Sequence, residues 1–312
     1  MSLVPERTTQ NYGPGVTTAS KAVLLELMAT LRVYRDALVL VGGWVPYFLL
    51  EQHRPPEDDF EHVGSIDIDL AVDPEAVREP EYGTIVELLT ARGYRPTPDR
   101  RGSPIPYSFD RVVRSPLNNK TYTIRVDFLT HLDDPRSGRH TSRQVQDDLF
   151  ARKTKGCDAA FQHFTQFDLT GELPEGGKIT VPIRMADVVG CLTMKGIVLG
   201  ERYREKDAYD IYAVAAHYEG GPRDVAEALR PYLQQPLLGE SLQSIRAAFG
   251  ERSGNGPAWV AAFLVSHVFS AERERLVTEA HMVVSELLRV VEKPLSAAGA
   301  PAMERNASSG VV

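Results

Sequence analysis

Apolar residues recur at helical spacing over residues 21–36, where Val23, Leu24, Leu27, Leu31 and Tyr34 share one face, and this predicts a helix. A short buried strand over 37–41 follows, closed by Gly42 and Gly43, and an apolar helix is expected over 44–50. A polar stretch, 51–63, with a Pro-Pro pair and an acidic triplet, reads as an inserted loop. Strict alternation then marks a strand over 66–72, an amphipathic pattern marks a helix over 83–92, and strands over 107–114 and 120–130 flank the turn signal at 116–119. Residues 164–170 and 178–183 form a hairpin pattern whose connection carries Pro174, Gly176 and Gly177. Beyond it the pattern is helical throughout, over 185–200, 205–218, 224–233, 238–249, 258–268 and 272–291.

The change of period near residue 184 predicts an α/β (α+β) domain with a mixed sheet over 18–183 and a helical domain over 184–293. Aperiodic tails are expected over 1–17 and 294–312. A chain of 312 residues accommodates two such units. The longest apolar runs, 37–45 and 259–268, fall short of the roughly 18 residues a membrane span needs, so no membrane partner is expected. The polar N-terminal stretch with Pro5 and Pro14 is unlike a secretory signal, and the expected location is cytoplasmic. Cys157 and Cys191 lack the spacing of a metal knuckle or a disulfide framework and read as reduced, structural residues. A net charge of −7 argues against a protein that coats nucleic acid by general phosphate neutralisation, though not against a local basic cleft.

Within Gly64-Ser65-Ile66-Asp67-Ile68-Asp69-Leu70, Asp67 and Asp69 fall on one face of a strand and Ile66, Ile68 and Leu70 on the other. Their Cα atoms would stand about 7 Å apart, with the apolar set anchoring the strand while two carboxylates face hard divalent cations, Mg²⁺ or Mn²⁺. Asp127, on the alternating segment 123–129, fits as a third metal ligand. In phosphoryl transfer the protein mainly positions groups and neutralises charge, so metal-bridging acids with a lysine nearby are the expected parts. The bland alternative for the aspartates is a solvated strand face.

Gly42-Gly43 joins a strand to a helix, where a glycine backbone can approach a phosphate; the same pair also serves a tight turn and nothing more. Lys195 is the single cation in an otherwise apolar helical segment, and taken alone it reads as a residue snorkelling at the helix rim. In Arg202-Tyr203-Arg204-Glu205-Lys206-Asp207-Ala208-Tyr209-Asp210, Lys206 and Asp210 are one turn apart and Asp207 shares their face; by itself this is a salt-bridged surface helix.

Together, Leu40-Val41-Gly42-Gly43, the DxD segment and Val126-Asp127-Phe128 resemble the glycine turn, DxD strand and later acidic strand of DNA polymerase β-type nucleotidyltransferases. The gap between Gly43 and Asp67 is longer than that pattern, which is why 51–63 reads as an insertion. A lysine helix followed by R-x-K-D-x-x-D resembles the second half of the AbiE-type, MenT-like toxin nucleotidyltransferases, so that the likeness spans roughly residues 38–215. It implies a polymerase β-like fold with a helical C-terminal domain and Mg²⁺-dependent transfer of NMP from an NTP, most directly to the 3′ end of tRNA. It also implies a cognate antitoxin. Asp67, Asp69, Lys195 and Asp210 would be catalytic, and Gly42, Gly43, Ser65, Lys195 and Lys206 would lie beside the nucleotide. Ser65 would double as a site of regulatory phosphorylation. Arg92, Arg95, Arg100, Arg101, Arg111 and Arg114 are candidates for an acceptor path or, individually, ordinary surface charge. Transfer to a small-molecule hydroxyl or to protein keeps the same chemistry, and an inactive binding scaffold is the reading from outside enzymology.

Overall fold

In the computed structural model, residues 8–77, 83–132, 141–201, 205–265 and 270–292 are described. Four consecutive buried residues form β1 (Leu38–Val41), which lies between β2 (Asp67–Val72) and β9 (Lys178–Ala186). A strand covered on both faces reads as a continuous apolar run rather than an alternating one. On the far side of β2 lies β5 (Thr121–Thr130), then β4 (Pro104–Arg114) and the short edge strand β3 (Arg95–Pro98); β8 (Phe164–Glu172) closes the opposite edge. The sheet is mixed: β1 runs antiparallel to β2 and parallel to β9, and β2 runs parallel to β5. Where the pairing of β4 with β5 stops, at Ser108 opposite Asp127, β7 (Phe150–Lys153) takes over beside Leu129 and Thr130, and β6 (Ser142–Gln144) pairs with β7.

Helix α1 (Pro14–Thr30) crosses one face of the sheet, and α2 (Trp44–His53) follows the glycine turn. Short helices α3 (Ile85–Ala91) and α4 (Cys157–Gln162) complete the first half. The second half is helical: α5 (Val188–Glu201), α6 (Glu205–His217), α7 (Pro222–Leu229), α8 (Pro236–Phe249), α9 (Asn255–Leu264) and α10 (Ala271–Glu292). One hydrophobic core runs without a break from α1 and the sheet into α5, α6 and α10, so the two expected units share their interior. The α/β class, the mixed sheet and the helical C-terminal half are as the periodicity predicts.

Three expectations change. Residues 8–17 are ordered rather than tail: Thr9–Tyr12 form a 3-10 turn, Pro14 opens α1, and the Tyr12 ring packs edge-on against Phe263, 5.5 Å between centroids. The stretch shows no period because it is a short turn followed by a helix start, and proline at the first helical position is pre-organised for helix. Helix α5 begins at Val188 and not near Met185, because β9 continues through Ala186 and the Asp187 carboxylate accepts from the amides of Val189 and Gly190 at 2.8 and 3.0 Å. The polar stretch 51–63 is partly helical, since α2 runs on to His53. Residues 1–7, 202–204 and 293–312, and with them the expected C-terminal tail, Arg202 and Arg204, lie outside the described residues, as does Val268 at the end of the expected helix 258–268.

Candidate active site

On β2, Ile68 and Leu70 are fully buried while Asp67 and Asp69 point to the opposite face, partly covered. Burial of each aliphatic side chain contributes roughly 1.5–3 kcal/mol, which fixes the register and hence the face the carboxylates share. Register also brings Asp127 beside them, since it is the parallel-strand partner of Asp69 on β5, with Val126 and Phe128 buried behind it.

The glycine turn explains itself at atomic level. Gly42 has φ +75°, and a Cβ there would lie 2.2 Å from Asp69 Oδ2; a Cβ on Gly43 would lie 2.6 Å from Ser65 Oγ. The space a side chain would occupy is taken by the carboxylate and the hydroxyl of the DxD strand. Gly42→Ala is therefore expected to displace Asp69 and to cost about 1–3 kcal/mol through left-handed backbone strain alone, read from the urea midpoint. Ser65 is buried and donates its hydroxyl hydrogen to the Asp67 carbonyl at 2.9 Å.

Electrostatics around β2 are those of a carboxylate group short of positive charge. Burial, then the charge of Asp127 and to a smaller extent that of Asp67, push Asp69 up to about 7, against the pull of Arg152 and Lys195. Asp127 is also raised, mainly by burial, although Ser108 Oγ donates to it and Arg152 favours its ionised form. Sequence reasoning missed Ser108 and Arg152. Arg152 sits on β7 opposite Leu129, two residues along the strand face from Asp127, with its guanidinium 5.9 Å from the Tyr107 ring centre. Among the described residues, no three acidic, histidine or cysteine side chains are drawn together into a set able to hold a metal ion. The chemistry of the donors nevertheless fits one: three oxygen ligands of like charge on neighbouring strands, the kind of set a hard divalent cation takes.

The lysine helix and the K-D-x-x-D helix meet in a second, buried cluster. Lys195 Nζ donates to Asp207 at 2.9 Å and to Asp210 at 2.6 Å, and Lys206 also donates to Asp210. Asp210 is wholly buried and Lys195 is 8% exposed, so neither the rim position read for Lys195 nor the surface helix read for Lys206 and Asp210 describes them. Burial opposes the ammonium of Lys195, but Asp207 and Asp210 overcome it and hold that pKa high. Burial likewise opposes the Asp210 carboxylate, and Lys195 and Lys206 hold it far below the usual range. Lys206 faces the rings of Tyr12, Tyr209 and Phe263 at 5.4, 5.2 and 6.0 Å, and burial lowers its pKa despite Asp210. The charge of Lys195 also favours the ionised form of Asp69, as the smallest of the influences on that group.

A histidine that the sequence did not single out completes this cluster. His62, between α2 and β2, places Nε2 2.9 Å from Asp210 Oδ1, and its Nδ1 accepts from the Gly64 amide at 3.1 Å. The stretch called an insertion is thus strapped onto α6: Tyr209 Oη accepts from the Val63 amide, Phe60 stacks on His217 at 3.8 Å, and Asp58 pairs with His217 at 2.6 Å.

Of the basic residues proposed for an acceptor path, Arg111 is withdrawn. It forms a two-pronged pair with the buried carboxylate of Glu26, at 2.9 and 3.0 Å, and fixes α1 to β4. Arg92, Arg95, Arg100, Arg101 and Arg114 are exposed. No described helix is long and apolar enough to cross a membrane.

No family model matches the sequence, and no curated protein matches it significantly. Among solved structures, the chain is similar to an antigenic nucleotidyltransferase-like protein from Paracoccidioides brasiliensis. That likeness has a TM-score of 0.40 at 12% identity, covering 74% of this chain and 87% of the other. It is also similar to MenT4, a nucleotidyltransferase toxin from Mycobacterium tuberculosis H37Rv, with a TM-score of 0.34 at 16% identity and 89% of each chain covered. At these scores neither likeness carries a functional argument.

Proposed function

We propose that this chain is a nucleotidyltransferase that moves a nucleoside monophosphate from an NTP to a hydroxyl group and releases pyrophosphate. The observation that carries the reading is the register placing Asp69 beside Asp127, with Asp67 on the same face and Gly42 closed against the Asp69 carboxylate. Mg²⁺ or Mn²⁺ would be held by Asp67, Asp69 and Asp127, where it would neutralise phosphate charge and acidify the acceptor hydroxyl. The acceptor oxygen attacks the α-phosphorus as the bond to the β-phosphate breaks. Asp127, whose carboxylate the Ser108 hydroxyl orients, is the group we assign to take the hydroxyl proton. Lys195 gives two of its three donors to Asp207 and Asp210, which hold the ammonium charged, and the third would meet a phosphate oxygen. Gly42, Gly43 and Ser65 flank the carboxylates on the side where the triphosphate would lie, and Lys206 balances the charge of Asp210 from its ring cage.

The acceptor we propose is the 3′ end of tRNA, which would make the chain the toxin of a toxin–antitoxin pair. The motif pattern of Lys195 with the K-D-x-x-D helix supports this, as do the exposed Arg92, Arg95, Arg100, Arg101 and Arg114. Regulation by phosphorylation of Ser65 would require its hydroxyl to leave the Asp67 carbonyl and come out of cover. The test is incubation with Mg²⁺, total tRNA and each α-labelled NTP in turn, with RNA, protein and small molecules then separated. Label in RNA supports the tRNA reading and names the nucleotide. Label confined to protein or an added small molecule moves the acceptor and keeps the chemistry, and no label in any fraction sinks the reading.

A further inference from the structure

Resting on the nucleotidyltransferase reading, we propose that His62 is a positioning residue: its Nε2–H holds the Asp210 carboxylate, and through it the Lys195 ammonium, in register with the strand that carries Asp67 and Asp69. Three observations converge on it.

The first is the hydrogen-bond pattern. His62 Nδ1 accepts from the Gly64 amide, so the ring proton lies on Nε2 and is donated to Asp210 Oδ1, while Oδ2 of the same carboxylate accepts from Lys195. Both ring nitrogens are committed, one to the backbone that enters β2 and the other to α6. The second is charge. Lys195 and Lys206 both donate to Asp210 already, so a charged imidazolium would be a third buried cation against one carboxylate, whereas a neutral imidazole adds a donor and no charge. Burial and the two ammonium groups keep His62 in that form. The third is connectivity. Gly64 has φ +75° and is two residues from His62 and three from Asp67, so a shift of the ring moves the entry to β2 and the Asp210 carboxylate together.

The two nitrogens can be separated by substitution. In His62→Gln the terminal amide reaches the Nε2 position and keeps the donor to Asp210; in His62→Asn the shorter amide reaches only the Nδ1 position and keeps the Gly64 contact. Two readouts are taken on the full-length chain: kcat and KM for the Mg²⁺–NTP substrate, and reactivity of Lys195 toward an amine-acylating reagent, measured by peptide mass spectrometry. The expected result for His62→Asn is a loss of about 10- to 100-fold in kcat, the size typical of outer partners that orient a functional group, with KM changed much less. Lys195 acylation should rise, with exposed lysines unchanged. His62→Gln should recover most of both. If the two variants behave alike, or if Lys195 reactivity does not change in a folded His62→Asn protein, the proposal is overturned. Should His62→Asn fail to fold, ¹⁵N NMR of the wild-type ring decides: a neutral ring protonated at Nδ1 instead of Nε2 contradicts it. Acylation and NMR need no turnover, so the positioning role can stand or fall separately from the nucleotidyltransferase reading.

Discussion

Asp69→Asn is expected to lower nucleotidyl transfer by about 10³-fold or more and, in the absence of metal, to make the protein more stable above pH 7. The rate loss follows from removing a charged metal ligand: charge stabilisation of several kcal/mol is at stake, and about 4 kcal/mol corresponds to about 10³ in rate. The stability gain follows from linkage. The Asp69 carboxyl is raised in the folded state, from 3.8 to about 7, so the folded protein binds its proton more tightly than the unfolded chain does. That contribution is fully present below about pH 4 and is lost as pH rises through 7. With allowance for partial exposure, the loss is on the order of 2–4 kcal/mol. Asparagine does not titrate. The stability difference between variant and wild type, in which titrating groups not coupled to Asp69 cancel, should therefore grow from about pH 4 to pH 7 and then level off, as read from urea unfolding with chelator present. A difference that is flat with pH would mean that Asp69 is not held in a charge-poor recess. Mg²⁺ should raise the wild-type midpoint more than that of the variant.

Asp210→Asn is expected to be the most destabilising single substitution in the second cluster, at about 3–5 kcal/mol. Asp210 accepts from Lys195, Lys206 and His62, and without its charge Lys206 loses the one carboxylate it is seen to donate to and keeps only the weaker pull of Asp207. Lys195 retains Asp207. The remedy follows from the same reasoning. In Asp210→Asn with Lys206→Met, the second substitution places a flexible apolar side chain against the rings of Tyr12, Tyr209 and Phe263 and removes the stranded charge. Most of the lost stability should return while activity stays low, since Lys195 has still lost one of its two anchors. If the double variant is no more stable than the single one, the cost is not that of an unpaired buried cation.

The residues legible in the sequence are those whose partners lie close along the chain. Asp67 and Asp69 are visible because the strand period puts them two apart against Ile68 and Leu70, and Lys206, Asp207 and Asp210 because the helical period puts them on one face. Asp127 is visible from its own alternating strand, although only the sheet register shows that it faces Asp69. His62 carries no such signal. It lies in an aperiodic stretch and its partner is 148 residues away. Arg152 is hidden for a related reason: β6 and β7 span three and four residues, too few to show a period. Arg111 was misread because its partner, Glu26, lies on a different element 85 residues away, and an arginine looks the same in sequence whether it faces solvent or a buried carboxylate. Gly42 and Gly43 could be read as a turn, but that the missing side chains make room for Asp69 and Ser65 is a property of the packed sheet.

If the β2 and β5 carboxylates act as proposed, the group that moves is the nucleotidyl group and not the terminal phosphate. The most direct measurement compares α-labelled with γ-labelled NTP, in parallel incubations with Mg²⁺ and total tRNA, for wild type and Asp67→Ala. The account predicts that the α-label enters the acceptor, that the γ-label leaves as pyrophosphate, and that both signals vanish in Asp67→Ala. Entry of the γ-label into the acceptor, or an α-label signal unchanged by Asp67→Ala, would contradict it.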